Sequence, residues 1–103
     1  MNIWALDKDL RIKHLLLLLQ ETLGANSFCI SSEPALASMA VRIYKPGEAD
    51  MSAYLYTYGQ DADRYGVHLE YPLLMETAAS KTIEMQEDLE FEQLVAVLQV
   101  HLL

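Results

Sequence analysis

The residues able to do chemistry in this chain are few and scattered. Histidine occurs at positions 14, 68 and 101, and no pair has the i, i+4 spacing that puts two imidazoles on one helix face for a metal. His68 and Glu70 are two residues apart, so in a strand they share a face and could act as an acid-base or metal-binding pair. The same spacing is equally that of an ordinary exposed pair. Cys29, the single cysteine, would need a nearby base to serve as a nucleophile, and nothing local supplies one. A partly buried strand thiol is the simpler role. The serines lack a Gly-x-Ser-x-Gly elbow, the four glycines are too dispersed to cradle a phosphate, and Asp61 to Asp63 lacks the carboxylate set of an EF-hand. The chain reads as non-catalytic, with no cofactor and no metal expected.

Composition narrows the partners. With 15 Asp plus Glu against 7 Lys plus Arg the net charge is -8, which disfavours nucleic acid and anionic membranes, since phosphate contact needs clustered cations. A tyrosine-rich sheet could stack RNA bases, but that mode also needs basic rims, and Arg42 and Arg64 are too few. The run Leu15 to Leu19 follows mixed charges and is far too short to span a bilayer. One cysteine, no signal-peptide order and no repeat suggest a soluble cytoplasmic protein. At 103 residues and 52% hydrophobic content, a single globular domain over residues 1–103 is expected.

The elements that must position these residues follow from periodicity. Ile12, Leu16, Leu19 and Leu23 form a helical stripe, with Asp7 or Asp9 as N-cap and Gly24 as the C-terminal stop. Leu15, Leu17 and Leu18 fall outside the stripe, so this helix should be covered on more than one side. Alternation predicts strands at Ser27–Ser31 and Met39–Lys45, with Ser32–Ser38 as a loop and Pro46-Gly47 as a turn. Met51–Tyr58 and Tyr65–Tyr71 form a long-loop hairpin ended by Pro72. A last strand is expected at Lys81–Gln86. Asp88 then caps a final helix bearing Phe91, Leu94, Val95, Leu98 and Leu102, with Glu90 and Glu92 in its first turn complementing the dipole.

One-faced strands need a cover, and the terminal helices can supply it. The expected fold is α+β, a two-layer sandwich in which a mainly antiparallel sheet of four or five strands is covered on one face by an N-terminal and a C-terminal helix. With the helices on the Val41, Ile43, Leu55, Val67 and Leu69 side, the other face carries Arg42, Tyr44, Tyr54, Tyr56, Tyr58, His68, Glu70 and Glu84. Alternation alone leaves open the inverted arrangement, with the tyrosines beneath the helices. Tyrosine suits interfaces because it offers rigid area with a wettable hydroxyl, yet it also stabilises sheets by cross-strand pairing alone.

Charge is uneven along the chain. Residues 1–45 hold five basic and four acidic residues, a net of +1, whereas residues 46–103 hold two against eleven, a net of -9. The densest stretch carries Glu84, Glu87, Asp88, Glu90 and Glu92. These acids serve capping and solubility or form a docking patch, while Asp61, Asp63, Glu70 and Glu76 need another reason. The leading expectation is a small acidic protein-binding module, of inhibitor, antitoxin-like, immunity-like or adaptor type. It would engage a basic protein through Tyr54, Tyr56, Tyr58, His68, Glu70, Glu84, Glu87 and Asp88. Two alternatives stand beside it. One is a homo-oligomeric structural or accessory protein, a homodimer in the simplest case, using the leucine-rich first helix with Val97 and Val100. The other is a small-ligand binder or enzyme around His68, Glu70 and the tyrosines.

Overall fold

The computed structural model describes residues 3–31, 37–72 and 83–103. Glu76, most of the expected 32–38 loop and the start of the expected last strand lie outside them. After a 3-10 turn at Ile3–Ala5, helix α1 spans Leu10–Leu23. Asp9 starts it by accepting the Arg11 N–H at 3.0 Å, and its own N–H donates to the Ser38 carbonyl at 2.8 Å. One residue therefore caps the helix and ties it to the chain entering the sheet. Gly24, at φ 103°, ends it. Ile12, Leu15, Leu16 and Leu19 are buried and Leu17 packs at the core margin, but Leu18 is 43% exposed. Cover on more than one side thus stops short of Leu18.

Five strands follow, β1 (Cys29–Ile30), β2 (Ala40–Lys45), β3 (Glu48–Tyr56), β4 (Tyr65–Glu70) and β5 (Ile83–Leu89), before helix α2 (Phe91–Leu102). They form one sheet in the order β1-β2-β3-β4-β5, with every neighbouring pair antiparallel. Pro46-Gly47 joins β2 to β3. Gly47 sits at φ 81°, the positive value that the third residue of a type II turn requires. That turn suits strand twist poorly, and the register shifts beside it between Tyr44 and Lys45.

Val41, Ile43, Ala53, Leu55, Val67 and Leu69 face both helices and share one core cluster with Ile12, Leu15, Leu16, Leu19, Leu94, Leu98 and Leu102. None of these side chains is more than 4% exposed. The fold is the expected α+β sandwich with a five-stranded antiparallel sheet, and the inverted arrangement does not occur.

Several boundaries differ from expectation. β1 is two residues long, and β3 starts at Glu48 and ends at Tyr56, which leaves Tyr58 beyond the strand. β5 runs to Leu89, so Asp88 is not the cap of α2 but a strand residue at φ 57°. It sits in a bulge, because Val67 pairs with Gln86 while Tyr65 pairs with Leu89, leaving Glu87 and Asp88 opposite Gly66. Gln60 holds the bulge open, its Oε1 accepting the Asp88 N–H at 2.8 Å. Glu90 is the cap instead, its N–H donating to Gln93 Oε1 at 2.8 Å. Among the described residues, no helix is long and apolar enough to cross a membrane.

Candidate functional site

The sheet face turned away from the helices is set by register. Arg42, Tyr54, His68 and Met85 are successive partners across β2, β3, β4 and β5. Tyr44, Ser52 and Glu70 make a second row, and Ala40, Tyr56 and Gly66 a third. Cys29, opposite Tyr44, lies at the β1 margin of this face.

The third row explains why Tyr56 is only 3% exposed although no helix covers it. Its ring lies across Gly66, where a Cβ would overlap the ring carbons. Glycine in mid-strand forfeits packing, and a cross-strand aromatic restores it. Around Tyr56 the rings are continuous. Tyr58 stacks on it with centroids 4.6 Å apart, His68 meets it edge-on at 5.1 Å, and Tyr54 lies 5.8 Å away. Tyr54 also meets His68 at 5.4 Å and carries the Arg42 guanidinium 5.5 Å over its ring. Although outside the strand, Tyr58 rejoins the group through its ring and a 3.4 Å hydroxyl contact with Tyr54.

His68 and Glu70 share this face but do not pair. The Glu70 carboxylate accepts from Arg42 Nε at 2.7 Å and from Ser52 Oγ at 3.0 Å, which holds it as a structural anion. His68 is enclosed by tyrosine rings instead, so the geometry builds a platform rather than an acid-base dyad. Of the other histidines, His14 packs edge-on against Trp4, and His101 is buried under the sheet with Nε2 2.7 Å from the Ser52 carbonyl. The three are not brought together. Among the described residues, no group of three His, Cys, Asp or Glu is arranged to hold a metal ion.

The acids gather at one end. Gln60 Nε2 donates to Glu87 Oε2 at 2.8 Å, and Arg64 lies 3.8 Å from Asp88 Oδ1 and 3.4 Å from Glu90 Oε1. Asp61, Asp63, Glu87, Asp88, Glu90 and Glu92 are all exposed there. Arg64 and Arg11, which donates to the Asp61 carbonyl at 3.0 Å, stand against them. Asp61 and Asp63, unexplained by helix dipoles, thus join the Glu87 to Glu92 segment in space. The platform runs into this end, because the Glu87 carboxylate lies near enough to the Tyr56 phenol to act on its ionisation. Burial, followed by that carboxylate, pushes the Tyr56 phenol up to about 12. Tyr54 rises to about 12 as well, through burial and then its bond with Tyr58, with Arg42 opposing.

Glu84 is a correction. It pairs with Leu69, and cross-strand partners share a face, so it stands on the helix side rather than among the tyrosines. Met85 stands instead where Glu84 was expected, opposite His68 and 67% exposed. β5 is the sheet edge, and α2 packs on β3 and β4, so burial does not dictate which way β5 alternates. No signal within residues 83–89 could have revealed this, because the sense depends on pairing with β4.

Compared with family models, curated proteins and solved structures, the chain matches none.

Proposed function

We propose that the chain is a non-catalytic protein-binding module that engages a basic protein through the open sheet face and the acidic end beside it. The carrying observation is continuity: the ring platform of Tyr54, Tyr56, Tyr58 and His68 adjoins the carboxylate end, where Glu87 lies beside the Tyr56 phenol and is held by Gln60. Aromatic and methionine side chains suit the centre of an interface, and like-signed charge at its margin steers an oppositely charged partner. Tyr58 at 41% exposure and Met85 at 67% offer the accessible apolar area, with Glu87 and Asp88 as the steering acids. Glu70, held by Arg42 and Ser52, acts as scaffold, and Glu84 belongs to the other side of the sheet. Cytoplasmic residence accords with the single free cysteine.

The test is affinity capture at low salt with four forms of the protein. A basic partner should be retained by the wild type and by Leu18→Ser on the far side, released by added salt, and lost with Met85→Asp and with Glu87→Lys. Retention by both face variants, or capture of nothing salt-sensitive, rejects the reading.

A second reading, self-association, is favoured by Val100 at 88% exposure and Leu18 at 43%. Light scattering over a concentration series decides it, and a monomer at the highest concentration ends it.

A further inference from the structure

On the side of the sheet opposite the tyrosines, the structure holds a cavity of about 370 Å³ between the β4 and β5 edge and α2. Its walls include Leu69, Tyr71, Glu84, Val97, Val100 and His101. The volume is within the range of small-ligand pockets, which are mostly apolar with a few placed polar groups. It exists because β5 extends the sheet past the helix layer. In the sheet α2 packs chiefly on β3 and β4, and among the described residues Glu84 and Gln86 of β5 line an open margin beside it.

Apart from the Gln86 amide, which can both donate and accept, the polar side chains in the wall are acceptors or already spent donors. Tyr71 donates its hydroxyl to Glu84 Oε2 at 3.1 Å, and a carboxylate has room for further donors. His101 is 5% exposed, and its Nε2 lies 2.7 Å from the Ser52 carbonyl. A carbonyl only accepts, so Nε2 carries the hydrogen, and in the neutral ring Nδ1 is left as a bare acceptor. That Nδ1 is buried and has no partner among the described residues. The Tyr71 ring stands edge-on to the His101 ring, with centroids 4.8 Å apart. Among the described residues lining the cavity there is no Lys or Arg. Such a wall rejects carboxylates and phosphates, and it suits an apolar body that ends in a hydrogen-bond-donating cation.

We propose that this cavity is a binding site for a small apolar amine, its hydrocarbon or aromatic part against Leu69, Val97 and Val100 and its ammonium on Glu84 beside the His101 edge. The inference is independent of the sheet face and of any protein partner.

The experiment compares three probes of similar size, 2-phenylethylamine, 2-phenylethanol and 3-phenylpropanoate, by NMR titration of the full chain. Expected are shifts of the Val97 and Val100 methyls and the His101 ring. The amine should bind at least tenfold more tightly than the carboxylate, with the alcohol between them. Glu84→Gln should reduce the amine's advantage over the alcohol to less than threefold. Val100→Trp, placed at a side chain that is 88% exposed and so outside the packing, should block the cavity and abolish the shifts. Equal binding of amine and carboxylate, shifts that survive Val100→Trp, or no response to any probe each overturn the proposal. So does filling of the cavity by residues 73–82 of the chain, read as contacts from Met75 to Val100 with no response to the amine.

Discussion

The two faces of the sheet come from the same strands and the same alternation, yet they are buried by different means. On the inner face Val41, Ile43, Leu55 and Val67 reach 0% exposure because two helices lie on them. On the outer face Tyr56 reaches 3% with no layer above it, because its ring lies flat over Gly66 and between its neighbours. The first kind of burial depends on filled volume, the second on lateral fit among large side chains. Only the second leaves ring edges and hydroxyls within reach of a partner.

The sharpest way to break the comparison is to truncate neighbouring residues of β3. Leu55→Ala removes a fully buried side chain between sheet and helices, with an expected loss of about 2–5 kcal/mol in urea unfolding. Tyr54→Ala, one residue earlier and on the other face, should lose about 1 kcal/mol, the size of a cross-strand aromatic contribution. Equal losses would mean that the outer face is core.

Gly66→Ala tests lateral fit directly. The new methyl displaces the Tyr56 ring and should destabilise the protein by about 1–3 kcal/mol, the usual range for overpacking. In a Tyr56→Ala background the same change should cost under about 0.5 kcal/mol, because nothing remains to collide with it. A full cost in both backgrounds would place the strain in the backbone.

Legibility in the sequence follows the same divide. The Ile12 to Leu23 stripe, the Gly24 end and the Pro46-Gly47 turn were readable because each depends on local chemistry, and the cap was narrowed to Asp7 or Asp9, of which Asp9 serves. Which strand residues share a face was readable too, but which of the two faces the helices cover was not, since alternation fits either. Glu84, Met85 and Asp88 were not readable, because their placement depends on how β5 pairs and on a bulge propped by Gln60 from another loop. The joining of Asp61 and Asp63 to the later acids, and the burial of His101 against Ser52, are likewise long-range contacts that periodicity does not encode. Strands with a helix over them announce which residues share a face. An edge strand without one does not.

A smaller effect, confined to alkaline pH, sharpens the account of the outer face. Tyr54 and Tyr56 are raised from 10.0 to about 12, so the folded state keeps their protons more tightly than the unfolded chain does. Stability from this source is complete below pH 10 and is lost as pH rises from 10 towards 12. Unfolding at a series of pH values should show that decline, and absorbance titration should find two of the six tyrosines ionising last. Tyr56→Phe should remove one of the two late ionisations and shallow the decline. A chain in which all six tyrosines titrate together near 10 would contradict the packed platform.

The smallest effect on stability falls at Met85, where the two faces exchange roles. It is a large apolar side chain on the open face at 67% exposure, so water already surrounds most of it and Met85→Thr should change stability by less than about 0.5 kcal/mol. Threonine also favours strands, which offsets part of any lost contact with His68. If the open face is a binding surface, the same substitution should still weaken partner capture, because interface energy concentrates in accessible apolar anchors rather than in residues that hold the fold. A variant that is stable but binds poorly would separate the platform's fit from its use. A Met85→Thr protein that loses several kcal/mol would instead make β5 part of the core and erase the distinction between the faces at that edge.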